Sequence, residues 1–301
     1  MTDALALDKL LVRRSFERAA ASYDASAVLQ NEVCRRMLAR LDYIRLAPAT
    51  ILDAGSGTGN AVTGLLTRFP AARVIALDLA LAMTRRARAR RQRPALSTVE
   101  GWRALFGRGG RRLAAVCGDI EQLPLATACA GMVWSNLAVQ WSTEPRRAFA
   151  EMYRVLAPGG LLLFSSFGPD TLKELRAAFR SVDRHTHVHR FTDLHDVGDL
   201  LVAGGFADPV MDMEIITLTY ADVRELMRDL KAIGAHNMTR GRPSTLAGKS
   251  LLAKVARNYD AVRRDGRLPA TFEVIYGHAW KPQPRIGPTG RPVIDIKPRS
   301  G

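Results

Sequence analysis

The 301-residue sequence predicts an α/β fold: a mostly parallel sheet with helices on its faces, preceded by N-terminal helices. Three observations carry that prediction. Short apolar runs alternate with stretches of helical period from Thr50 onward, a glycine-rich turn follows the first run, and acids or an amide close the next ones.

Residues 8–22 and 27–41 read as amphipathic helices, the second with Leu29, Val33, Met37 and Leu41 on one face. Thr50 to Leu52 is a buried strand, Val62, Leu65, Leu66 and Phe69 mark a helix, and Arg73 to Leu77 is the next strand. Strands follow at Leu113 to Val116 and Gly131 to Trp134, then a helix near Glu144 to Leu156. A turn at Pro158-Gly159-Gly160 leads into a strand from Leu161 to Phe164. Residues 171–183 and 193–203 read as helices and Val210 to Tyr220 as a long strand. Two helices, over about 221–267, then interrupt the strands before a last one from Thr271 to Trp280. The domain reading is a helical lid over 1–45, a main domain over 46–281 with a substrate-covering cap at about 221–267, and a basic, proline-rich tail over 282–301 expected to be disordered.

Composition bounds the function. With 47% hydrophobic residues the chain can bury a large core. Cys34, Cys117 and Cys129 are too few and too scattered for a disulfide framework or a metal site. No leader and no membrane-length apolar run is read, so the expectation is a cytoplasmic enzyme without membrane contact. The net charge of +15 is local: ten arginines face one acid between Arg85 and Arg112, and five basic residues face one acid from Lys281 onward. Gly107 to Arg112 reads as a solvated basic loop, with docking of an acidic protein as the second reading. His185, His187 and His189 alternate without a cysteine or acid cluster, so they are read as solvated and no metal is assigned.

The chemical signal is Asp53-Ala-Gly55-Ser-Gly57-Thr-Gly59 at a strand-to-helix junction. Glycines let the backbone turn sharply and approach a ligand closely, and open parallel sheets bind ligands outside the carboxyl ends of their strands. The acid two residues before the first glycine suits a cationic amino-acid moiety better than a pyrophosphate. Asp78, after the second strand, is placed to accept from two ribose hydroxyls. Asp119 and Ile120 are placed to meet the amine and one face of adenine, Met83 to cover the other face, and Asn136 closes the fourth strand.

In this order the motifs resemble the class I S-adenosylmethionine-dependent methyltransferases, which implies a Rossmann-like seven-stranded sheet with its last strand antiparallel and S-adenosylmethionine as cofactor. Gly118-Asp-Ile-Glu-Gln-Leu-Pro-Leu-Ala-Thr-Ala128 and Trp134-Ser-Asn-Leu-Ala-Val-Gln-Trp141 further resemble the malonyl-acyl-carrier-protein O-methyltransferases. So do Phe16-Glu-Arg-Ala-Ala20 with Tyr23, and Leu230-Lys-Ala-Ile-Gly-Ala235 with Gly241-Arg242. The resemblance spans about residues 9–280; the arginine-rich stretch and the tail depart from it. It implies methyl transfer to the free carboxylate of a malonyl group on acyl carrier protein, or on coenzyme A, beginning the pimeloyl part of biotin. A malonyl carboxylate is ionised at neutral pH, since carboxylic acids titrate near about 4, so no general base is assigned. A cation is expected to hold that carboxylate, with Arg190, Lys231, Arg240 and Arg242 as candidates, and Tyr23 is a candidate lid residue. Trp134 reads as core, while Trp141 is either core or pocket wall. Competing readings are a methyltransferase for another small carboxylic acid, or one acting on RNA through the arginine patches. The second is disfavoured, because Ser135-Asn136-Leu137 stands where base-amine methyltransferases carry Pro-Pro-Tyr or Pro-Pro-Phe.

Overall fold

The computed structural model describes residues 7–90, 112–183, 185–235, 237–239 and 249–284. Seven strands form one sheet: β1 (Thr50–Ala54), β2 (Arg73–Asp78), β3 (Leu113–Cys117), β4 (Ala130–Ser135), β5 (Leu156–Phe167), β6 (Ala207–Tyr220) and β7 (Leu268–Trp280), in the order β3-β2-β1-β4-β5-β7-β6. All pairings among β1 to β5 are parallel, and β7 runs antiparallel to both β5 and β6. The chain steps outward from β1 to β3 and then returns to lay β4 on the other side of β1. That reversal opens a crevice above the carboxyl ends of β1 and β4, the place where such sheets bind ligands.

The helices are α1 (Lys9–Ala19), α2 (Tyr23–Ser26), α3 (Val28–Arg40), α4 (Asn60–Arg68), α5 (Leu81–Arg90), α6 (Pro145–Val155), α7 (Lys173–Arg180), α8 (Leu194–Ala203), α9 (Val223–Ala232) and α10 (Lys249–Asp260). β1 is buried from Ile51 through Ala54, without polar-out alternation, because helices cover both sheet faces. On one face Val33 and Met37 of α3, Leu65 of α4, Phe179 of α7 and Tyr259 of α10 share a core with Trp134. On the other, Phe149 and Met152 of α6 meet Val197 and Leu201 of α8. Leu29, Val33, Met37 and Leu41 are all buried, as their spacing predicts.

Two local readings change. Pro158-Gly159-Gly160 is no turn: it lies inside β5, where the register slips between Ala130 and Met132 of β4. Its backbone groups have partners, since Gly159 N–H donates to the Lys281 carbonyl at 2.8 Å and Lys281 N–H to that of Gly160 at 2.9 Å. Of the two helices between β6 and β7, α10 packs as a core layer, with Asn258 Nδ2 donating to the Ala178 carbonyl of α7 at 3.0 Å. α9 and the turn after it reach the N-terminal helices, where Ser22 Oγ donates to the Ala232 carbonyl at 3.0 Å and Ser15 Oγ to that of Gly234 at 3.1 Å. The segment Gly107 to Arg112 lies outside the described residues except for Arg112, and so does the tail beyond Pro284.

Candidate functional site

The glycine turn between β1 and α4 is held by its own N–H groups. Those of Gly55 and Ser56 donate to the Leu77 carbonyl, both at 2.8 Å, and Gly59 N–H to Ser56 at 2.9 Å. Gly57 N–H donates to Asp78 Oδ2 at 2.8 Å. With these amides occupied, the turn is no phosphate nest. Gly55 is needed for space as well as for its φ of 82°: a Cβ there would lie 2.2 Å from that of Ala138.

Two acids sit in this turn without a cation among the described residues. Asp78 lines the crevice, and its Oδ1 accepts from Ala80 N–H at 2.9 Å. Burial pushes its carboxyl up to about 6, against the two backbone donors that hold it down. Asp53 is 1% exposed and does not line the crevice; it lies beneath the turn, so direct contact with a ligand, as its sequence position suggests, is not what the structure shows. Its Oδ2 has no partner among the described residues, and burial followed by repulsion from Asp78 pushes it up to about 8. A buried, partnerless carboxylate beside a second acid is an unmet demand for positive charge.

The predicted cofactor residues Gly55, Gly57, Asp78, Met83, Asp119, Ile120 and Asn136 line one cavity of about 90 Å³. Met83 is fully buried and Ile120 half-buried. Asp119 differs from expectation. Its Oδ2 accepts from Lys9 Nζ at 2.6 Å, so the group assigned to an adenine amine already holds α1. Lys9 also pairs with Glu121 Oε2 at 2.7 Å, and the Glu121 carboxylate accepts from Ser142 Oγ at 2.8 Å and Thr143 N–H at 2.6 Å. The Asn136 amide is likewise engaged, donating to the Gln30 carbonyl at 3.0 Å and accepting from Ser165 Oγ at 2.9 Å. The Tyr23 ring stands over the turn, 3.7 Å from where a Gly57 Cβ would lie; burial raises its hydroxyl pKa, and Asp78 and Asp24 add to that. Glu17 of α1 accepts from Leu81 N–H at 2.6 Å and Ala82 N–H at 2.9 Å, capping α5 from across the crevice. The lid helices thus close over the glycine turn through Lys9, Glu17 and Tyr23. The quoted motifs contain Glu17 and Glu121 but gave neither a role, and nothing in the sequence marked Lys9.

A second cavity, of about 1090 Å³, adjoins the first and shares Gln30, Trp141, Phe167, Ile233 and Ala235 with it. Its walls are mostly apolar, with Leu175, Phe179, Leu218, Met227 and Phe272 among them. Trp134 is core at 0% exposed, and Trp141 is wall, edge-on to Phe16 at 5.4 Å. Of the three histidines expected to be solvated, His185 is exposed, but His187 and His189 are packed. His187 Nε2 meets Asp183 Oδ1 at 2.8 Å with its ring stacked on Phe179, and His189 stacks on Trp141. Burial lowers the His189 pKa to about 4, so it is neutral at physiological pH.

Of the expected carboxylate-binding cations, Lys231 lines this second cavity at an exposed position. Arg190 does not; it is exposed beside a separate recess lined by Thr143, Phe149 and Thr192. Arg240 and Arg242 lie outside the described residues. Arg18 and Arg228, which the sequence reading passed over, do line the second cavity. No described helix is long and apolar enough to cross a membrane.

Comparison with known proteins agrees with this architecture. A family model described as a methyltransferase domain matches residues 52–164. The malonyl-[acyl-carrier protein] O-methyltransferase of Gallionella capsiferriformans is 55% identical over 288 residues, covering 96% of each chain. That of Nitrosospira multiformis is 56% identical over 283 residues, covering 93% of this chain and 91% of the relative. Among solved structures, a putative methyltransferase from Bacillus halodurans superposes with a TM-score of 0.55 at 20% identity, covering 82% of this chain and 99% of the other, which bears on the fold alone.

Proposed function

The chain belongs to the malonyl-[acyl-carrier protein] O-methyltransferase family, and from that premise we propose that it methylates the free carboxylate of malonyl-acyl-carrier protein, with S-adenosylmethionine as donor. The observation that carries the reading is the junction of two unlike cavities, a small acid-floored one and a large apolar one, at the switch point of the sheet.

S-adenosylmethionine supplies an electrophilic methyl group on a positively charged sulfur. Residues in and under the first cavity suit such a ligand: Asp78 keeps acceptor capacity for ribose hydroxyls, and Met83 and Ile120 offer two apolar faces for a purine. Asp53, beneath the turn and pushed up to about 8 with no cation by it among the described residues, gives up its proton more readily once a sulfonium sits above it. Gly55 and Gly57 allow close approach of the backbone. Asp119 and Asn136 act mainly by tying α1 and α3 over the cavity. A cavity of about 90 Å³ is below the roughly 300–1,000 Å³ of ligand pockets, so α1 and Tyr23 shift outward when the ligand enters.

The acceptor carboxylate needs no proton removed, so the protein's task is alignment and exclusion of water. At the junction, Gln30 and Trp141 carry N–H donors able to orient the carboxylate, while Phe167 and Ile233 keep the space dry. Neutral donors suit the place, since a fixed cation there would repel the sulfonium. Lys231 serves the outer cavity rather than the reacting oxygen. The product ester has lost its charge, as its proposed use in building the pimeloyl part of biotin requires. The test is transfer of labelled methyl to malonyl-carrier protein, malonyl-coenzyme A, small dicarboxylic acids and total RNA in parallel. Base-labile label on the malonyl thioesters is the expected result; label on free acids or RNA with none on the thioesters overturns the substrate.

A further inference from the structure

Three exposed cations, Arg18 of α1 with Arg228 and Lys231 of α9, edge the large cavity, and none of them makes a salt bridge among the described residues. Some surface arginines elsewhere are paired, Arg35 and Arg36 with Glu32 and Arg40 with Asp212. Others, such as Arg190 and Arg257, make no salt bridge among the described residues but line neither cavity of the site. One carboxylate, Asp229, stands on the same wall, its Oδ2 accepting from Tyr220 at 2.8 Å; it offsets one of the three cations and leaves the edge positive. The cations also continue away from the opening. Exposed Arg14 precedes Arg18 by one turn, and exposed Arg224 precedes Arg228 by one turn, so each helix carries a basic stripe leading to the cavity, with no salt bridge among the described residues and with Asp222 near the arginines of α9. Behind this edge the walls turn apolar.

A flexible, largely uncharged thioester arm fits the apolar interior, and the acidic protein that bears it fits the two stripes. We propose that the α1 and α9 stripes, with Arg18, Arg228 and Lys231 at their centre, are the docking face for the acidic carrier protein. The proposal rests on the methyl-transfer reading above and places the partner on the lid and cap rather than on the arginine-rich region that begins on α5. The phosphates of a coenzyme A thioester would need only the few charges at the opening; stripes that run one turn farther along two helices suit a protein surface. Docking here also couples partner to site, because α1 carries Lys9 and Glu17, which close the cofactor cavity.

The experiment compares two charge-reversed variants with the wild-type protein. One combines Arg18→Glu, Arg228→Glu and Lys231→Glu; the other combines Arg85→Glu, Arg86→Glu and Arg88→Glu on the exposed side of α5. Each is assayed with malonyl-carrier protein, malonyl-coenzyme A and malonyl-pantetheine, which has the arm but neither protein nor nucleotide, across a range of salt. The α1–α9 variant is expected to lower kcat/KM for malonyl-carrier protein about tenfold or more relative to malonyl-pantetheine, and to flatten the salt dependence that wild type shows. The α5 variant is expected to leave that ratio within about twofold, the size of an ordinary surface-charge effect. An equal loss on carrier and pantetheine substrates, a loss confined to malonyl-coenzyme A, or a selective loss in the α5 variant overturns the docking face. Wild-type protein that methylates none of the three thioesters overturns the methyl-transfer reading instead.

Discussion

The two halves of the site differ in charge and in room. The half at the glycine turn is tight, about 90 Å³, and floored by two acids with no cation paired to them among the described residues, whereas the half between α1, α7 and α9 is wide, about 1090 Å³, apolar inside and cationic at its edge. Each is prepared for a ligand of opposite charge, and the two ligands meet at a neutral wall of Gln30, Trp141, Phe167, Ile233 and Ala235. Methyl transfer from a sulfonium to a carboxylate cancels both charges. A dry junction of low dielectric disfavours the separated charges more than the charge-dispersed transition state, so the apolar wall serves the chemistry as well as the packing.

The sharpest way to break the contrast is to fill the tight half. Gly55→Val places side-chain carbon where Ala138 stands, at a positive φ, and is expected to abolish cofactor binding with a loss of about 1–3 kcal/mol in stability. Titration calorimetry and thermal melting check both. Asp78→Ala removes an acceptor of two backbone N–H groups and of the ligand's hydroxyls. Cofactor affinity should fall by about 1.5–3 kcal/mol for each ligand hydrogen bond lost, with little change in the acceptor's KM. Unchanged affinity would mean that the ligand lies elsewhere.

Asp53→Asn separates stability from function. A carboxyl raised to about 8 in the folded protein, against an ordinary value near about 4, binds its proton more tightly folded than unfolded. Its contribution to stability is therefore present at low pH and lost as pH rises from about 4 through about 8. The variant lacks that loss, so its stability relative to wild type should climb over that window while its affinity for the cationic cofactor drops. By the same reasoning, wild-type affinity for a sulfonium should rise as Asp78 ionises near about 6. A flat profile in both measurements would remove the acids from the account. The smallest effect is expected of Lys9→Met, whose side chain is 32% exposed, so that its two ion pairs are worth about 1 kcal/mol after solvent screening; it should speed cofactor release more than it lowers the melting temperature.

Much of the tight half was legible because its chemistry sits at strand ends in sequence order: the glycine turn, Asp78, Met83 and Ile120 lie where periodicity and spacing place them. The wide half was not. Its walls come from α1, α3, α7, α9 and the His187 to Phe191 segment, brought together only by the fold, so no local pattern distinguished Arg18 and Arg228 from other surface arginines. The same blindness misplaced Arg190 and read His187 and His189 as solvated, since a ring's burial depends on what packs on it. Asp53 shows the converse: the motif located it, and only the structure shows it beneath the turn. The Pro158-Gly159-Gly160 stretch misled because glycines that ordinarily turn a chain here ease a register slip beside β7.

The most direct measurement is the chemical environment of the transferred methyl. With carbon-13-labelled donor and malonyl-carrier protein, the label should appear in NMR as the methoxy carbon of an ester and vanish as methanol on mild base. A label in an N-methyl, thioether or carbon-bound position, or one that survives base, would contradict methylation of the carboxylate.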